Sequence, residues 1–184
     1  MGKLETIMLK LVLTAALALG LAVPASADLS TGAQAPLFTT QATLAGQEYG
    51  FNLRSALAKG PVVLYFYPKA FTKGCTLEAN AFAEAMPEFK ALGATVVGLS
   101  NDDIETLKRF STEECRDAFA VGVASRRIVE AYDVALVRNG QDTGVTSRTS
   151  YVIAQSGEIV MVHSDMDYRD HVRKTLEAVR MLAS

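Results

Sequence analysis

Six apolar residues in a row, Val62-Val63-Leu64-Tyr65-Phe66-Tyr67, run into Pro68, and Cys75 stands seven positions later at the head of a helix-forming stretch. β-Branched and aromatic side chains without alternation describe a strand buried on both faces, and Pro68 ends it because proline cannot donate to a sheet ladder. Residues 71–74 break the pattern, and 76–85 suit a helix better than a strand. The chain must therefore deliver the end of an interior strand to the start of a helix, which is the joint of an α/β fold. Cys75 falls in or beside the first helical turn, where unpaired N–H groups and the positive end of the macrodipole favour an anion. A thiol in such a place ionises more readily than a free one.

The remaining pattern extends this joint into a single domain. Residues 37–43 and 47–53 alternate loosely about Ala45-Gly46 and predict an N-terminal hairpin. A helix over 75–92, interrupted near Pro87, leads to a second buried strand at 94–100, and a second helix spans 104–115 with Asp102 or Asp103 as N-cap. A short strand at 119–124 precedes a helix over 126–132; 150–154 and 158–163 form a hairpin about Gln155-Ser156-Gly157; a helix over 168–182 closes the chain. Strand and helix alternate in the middle, so the expected architecture is an α/β three-layer sandwich.

The first 27 residues read as an export signal: Lys3 and Lys10 are basic, 11–23 is apolar, and Ala25-Ser26-Ala27 has the small-x-small form of a cleavage site before Asp28. The expectation is a signal peptide over 1–27, one domain over 28–184 and a periplasmic protein without stable membrane association after cleavage; an uncleaved anchor is the alternative. Removal of Lys3, Glu5 and Lys10 changes the formal charge from −2 to −3. Neither sign dominates and no basic run is interleaved with aromatics, so nothing suggests nucleic-acid binding. Two cysteines, Cys75 and Cys115, could form a disulfide in an exported protein. Cys-x-x-Cys is absent and no proline follows Pro87, which argues against a thioredoxin-like disulfide oxidoreductase. A metal site needs clustered Cys and His, whereas His163 and His171 lie far from both cysteines along the chain, so neither metal nor cofactor is expected.

The spacing Pro68-x-x-x-Thr72-x-x-Cys75 resembles the active-site signature of peroxiredoxins, and the string FYPKAFTKGCTLEA is similar to their bacterioferritin comigratory protein (Q-type) branch. Arg148-Thr149-Ser150-Tyr151-Val152-Ile153 resembles that family's Arg-bearing strand. The resemblance implies a thioredoxin-like fold with a mixed central sheet and an added N-terminal β-hairpin. It also implies a peroxidatic Cys75, a peroxide-orienting Thr72, a shielding Pro68 and an activating Arg148, with a peroxide as substrate and a thioredoxin-like or other dithiol reductant as partner. The commonest Q-type arrangement has a second cysteine five residues after the first, where this chain has Asn80. Cys115, on the helix where other members of the branch carry it, is then the implied resolving thiol. A one-Cys mechanism, an inert Cys115, and a non-enzymatic holdase or redox-interaction role remain as alternatives, and the branch implies a monomer or weak dimer.

Overall fold

The computed structural model describes residues 29–183. The predicted signal and its cleavage site lie outside these residues. Fifteen elements follow in order: β1 (Thr39–Leu44), β2 (Gln47–Asn52), α1 (Leu53–Leu57), β3 (Val62–Phe66), α2 (Lys73–Ala91), β4 (Thr95–Ser100), α3 (Ile104–Glu113), β5 (Ala120–Val123), α4 (Arg126–Ala131), β6 (Ala135–Arg138), β7 (Gln141–Thr146), β8 (Thr149–Ile153), β9 (Ile159–Ser164), a 3-10 turn (Tyr168–Asp170) and α5 (His171–Ala183).

Seven strands form one mixed sheet in the order β2-β1-β5-β4-β3-β8-β9. β3, β4 and β5 pair in parallel, and the N-terminal hairpin and β8–β9 extend the sheet antiparallel on either side. β3 lies inside and shows why its residues read as an unbroken apolar run. Val62, Leu64 and Phe66 enter one core with Leu53 and Leu57 of α1 and Ile128 and Val129 of α4. Val63, Tyr65 and Tyr67 enter the other, against Ala79, Phe82 and Phe89 of α2, Leu107 and Phe110 of α3 and Val179 of α5. Alternate side chains of a strand point to opposite faces, so a run apolar at every position serves two helical layers at once. The predicted thioredoxin-like three-layer α/β fold is present.

Two expectations need correction, and a hairpin and a short helix have no counterpart in the sequence pattern. α2 continues through Pro87, because that residue lies on the helix's exposed face, where water can take the carbonyl left without its amide. Cys115 lies beyond the end of α3, whose C-cap is Glu114, in a turn where Arg116 and Asp117 both have left-handed φ, +51° and +56°. The stretch 133–149, for which the sequence pattern predicts no element, holds the β6–β7 hairpin, turned by Asn139 and Gly140 at φ +52° and +75°. The short helix α1 was also missed; Asn52 caps it by accepting the Ser55 amide. The choice at α3 resolves to Asp103 as N-cap. Asp102 is used elsewhere.

Candidate active site

The loop between β3 and α2 is tied down before it reaches the cysteine. The Ala70 amide donates to Asp102 Oδ2 at 2.7 Å, and the buried Ser100 hydroxyl donates to the same oxygen at 2.8 Å. Phe71 follows at φ +62°, a conformation a bulky L residue adopts only under constraint. Its ring packs edge-on against Phe110 of α3, with the Arg109 guanidinium 5.3 Å above it. Thr72 occupies the N-cap position, but its hydroxyl caps nothing: it donates to the Lys69 carbonyl at 2.9 Å. That proton is committed, so the exposed oxygen can only accept from a further partner. Pro68 is partly buried where β3 ends.

The first helical bond of α2 runs from the Thr76 amide to the Thr72 carbonyl, so Lys73, Gly74 and Cys75 have no intrahelical acceptor for their N–H groups. Cys75 is a free thiol, 2 % exposed, on the face of α2 that carries Ala79 and Phe82 into the core. Arg148, just before β8, brings its guanidinium to this point through three contacts. Nη2 donates to Cys75 Sγ at 3.5 Å, Nη1 to Glu78 Oε2, and Nε to the Met166 carbonyl at 3.0 Å. A Cβ on Gly74 would stand 3.2 Å from Nη2, so the glycine leaves room for the cation. Burial pulls Arg148 down, but the charges of Glu78 and Cys75 outweigh it and hold the guanidinium above its ordinary value. Burial raises the Glu78 carboxyl, and the neighbouring Arg148 opposes that rise.

Behind this pair lies a second polar layer. His171, the first residue of α5, is fully buried; its Nδ1 lies 2.8 Å from Ser150 Oγ and 3.8 Å from Glu78 Oε1, and its Nε2 is 2.9 Å from the Asp165 carbonyl. Cys115 is also a free, buried thiol in the same apolar cluster as Cys75, and burial pushes it well above the ordinary thiol value, with Glu114 and Asp117 adding to the rise. Asn80 donates to the Thr76 carbonyl at 2.8 Å and to Glu114 Oε2 at 3.3 Å, and Arg116 pairs with Glu84 at 3.4 Å, so the turn bearing Cys115 is fastened to α2 on both sides. Among the described residues no group of three or more His, Cys, Asp and Glu side chains could hold a metal ion.

Of the predicted site residues, Cys75 and Arg148 are in contact, and Thr72 and Pro68 lie on the loop that leads to them. Cys115 is not bonded to Cys75. Sequence reasoning missed Glu78, Asp102, Ser150 and His171. Glu78 carried a signal: one turn after Cys75 on the same helical face, a carboxyl that points inward needs a cation.

The arrangement can stabilise an anion on sulfur and orient a small polar molecule beside it. A model of the AhpC/TSA family matches residues 31–162. The chain is 30 % identical over 156 residues to the bcp peroxiredoxin of Haemophilus influenzae, which covers 84 % of this chain and 98 % of that protein. It is 29 % identical to peroxiredoxin Bcp of Bacillus subtilis, over 72 % of this chain and 87 % of that one. Among solved structures, peroxidoxin BcpB of Mycobacterium tuberculosis superposes with a TM-score of 0.75 at 29 % identity, over 85 % of this chain and 99 % of the other.

Proposed function

The chain belongs to the AhpC/TSA family, in the Bcp/Q branch of the peroxiredoxins, and from that premise we propose that Cys75 attacks the peroxide and Cys115 resolves the product. As a peroxiredoxin it is a thiol-dependent peroxidase, with a peroxide as substrate and a thioredoxin-type dithiol as reductant. The observation that carries the assignment is the Arg148 donor 3.5 Å from Cys75 Sγ at the open start of α2. The Cys75 thiolate attacks the terminal peroxide oxygen; an S–O bond forms as the O–O bond breaks, the sulfur becomes a sulfenic acid, and the other oxygen takes a proton and departs as water or alcohol. Arg148 and the α2 amides hold the charge as it moves from sulfur to the leaving oxygen. Thr72, its own proton committed to Lys69, accepts the peroxide O–H and so sets the angle of attack. Pro68 limits water at the sulfur.

Cys115 then attacks the sulfenic sulfur, expelling water, and the dithiol reductant reopens the disulfide. Its burial favours a step in which the turn after α3 opens first. Hydrogen peroxide and organic hydroperoxides are the substrates proposed, the working form is a monomer or weak dimer, and cleavage after Ala27 places the enzyme in the periplasm. Mass spectrometry of the native protein after one equivalent of peroxide reads the cleavage, the sulfenic acid and the disulfide together. The expected product starts at Asp28 and carries a Cys75–Cys115 disulfide; Cys75→Ser is expected to consume no peroxide, and Cys115→Ser to stop at a sulfenic acid. Normal turnover by Cys115→Ser with the same reductant would replace this scheme by a one-Cys cycle.

A further inference from the structure

The reaction as described uses neither His171 nor Ser150, although both are fully buried beside the pair that holds Cys75. The hydrogen-bond partners fix the state of the ring. The Asp165 carbonyl can only accept, so Nε2 carries the proton and donates to it. In the neutral ring Nδ1 is then an acceptor, and the Ser150 hydroxyl donates to it. Nδ1 also faces Glu78 Oε1 at 3.8 Å, and that oxygen is buried with no hydrogen-bond partner among the described residues. Two acceptors oppose each other in a dry place, an arrangement that a single proton between them would relieve.

We propose that His171 is a positioning residue for peroxide reduction: with Glu78 it takes up one proton while Cys75 is a thiolate, leaving the Arg148 charge to the sulfur. The inference rests on the reading of Cys75 as nucleophile. The proton balance closes. The thiol loses its proton to the Glu78–His171 pair; thiolate, guanidinium and protonated pair sum to zero. Attack removes the charge from sulfur, the pair gives up its proton, and the leaving oxygen gains one. Burial acts in the same sense, pushing His171 down to about 4 and Glu78 up, so neither side chain is readily charged by itself. The other groups that bear on the pair are Arg148 and Cys75 in front, Tyr65 on β3, and Asp165 and Asp167 after β9. His163 on β9 completes the surround, with ring centroids 4.5 Å apart and Lys174 of α5 3.1 Å from its Nδ1.

The test is the pH profile of peroxide reduction by the full chain. His171→Asn places an amide that can accept from Ser150 and donate to Glu78 Oε1; that fixed donor favours the carboxylate over the acid, so Glu78 ionises at lower pH than in the wild type and draws on Arg148. The half-maximal pH is expected to rise by about one unit, which is a tenfold loss of rate near pH 6 with recovery at alkaline pH. Ser150→Ala removes the competing donor at Nδ1 and is expected to move the midpoint the other way. In a Glu78→Gln background the His171→Asn shift should vanish. A merely structural role would lower the rate by one factor at every pH. A folded His171→Asn with the wild-type midpoint would overturn the proposal, as would Ser150→Ala shifting in the same direction if His171→Asn fails to fold. A wild type whose Cys75 is not oxidised by peroxide would instead refute the nucleophile assignment, which separates the two failures.

Discussion

Asp102 offers the sharpest test of how the fold positions the chemistry, because one of its oxygens takes two hydrogen bonds, from the Ala70 amide at 2.7 Å and the Ser100 hydroxyl at 2.8 Å. Asp102→Ala removes both and leaves the donors without their acceptor, and Ser100 is wholly buried. At about 1–2 kcal/mol for each bond lost in this way, the variant should be about 2–4 kcal/mol less stable. Ser100→Ala loses that donated bond and the long one, 3.4 Å, that its oxygen accepts from the Asp102 amide, and should cost about 1 kcal/mol. The two changes should not add, since each removes the Ser100–Asp102 bond; the coupling expected in the double variant is about 1 kcal/mol. The kinetic effect should divide the two further. Only Asp102→Ala frees the Ala70 amide and with it the loop that sets Phe71, Thr72 and the start of α2, so its rate of peroxide reduction should fall by about tenfold while Ser100→Ala stays near wild type. Urea unfolding supplies the stabilities and stopped-flow oxidation the rates. An Asp102→Ala protein that loses stability but reacts at the wild-type rate would show that the loop is held by other contacts, and the reasoning would fail.

Other outcomes follow from single contacts. Gly74→Ala should leave stability unchanged or slightly raised, as alanine favours helix, yet slow the reaction about threefold to tenfold by displacing Arg148 from the sulfur, and stopped-flow measurement decides it. Burial raises the Glu78 carboxyl to about 8 in the fold, above its value in an unfolded chain, so its protonated form favours folding at low pH and that stability is lost as pH climbs towards 8. Glu78→Gln cannot ionise and should flatten that decline in urea unfolding; an unaltered slope counts against it. Asn80→Ala unfastens Glu114 and should speed disulfide formation about threefold, seen by quenching the oxidised protein at intervals, and a slower rate would show the bond to aid the reaction.

Much of the frame was legible because it rests on local patterns. The 62–67 run, the hairpin at Ala45-Gly46 and the position of Cys75 at a helix start each depend on a few neighbouring residues, and each lies where the sequence places it. The misses have two kinds of cause. Asn139-Gly140 is a strong hairpin signal, but the strands beside it are short and largely exposed and so carry no apolar alternation to support it. Glu78, Ser150 and His171 could not be joined from the sequence, because they come from three elements brought together only when α2 and α5 pack on the same face of the sheet. A buried charge announces that it needs a partner; it does not say from where.

The turn after α3 places two consecutive non-glycine residues, Arg116 and Asp117, in left-handed conformations beside a buried cysteine. Each costs roughly 1 kcal/mol or more that the closed fold must offset. When the turn opens for the proposed resolving step, that cost is returned, so backbone handedness works as a loaded catch that makes release easier than the burial of Cys115 suggests. Glycine at either position would relax the catch and stabilise the resting protein. The enzyme would then be sturdier and slower, holding its sulfenic acid longer in the presence of more peroxide, and so more exposed to irreversible oxidation of its own nucleophile.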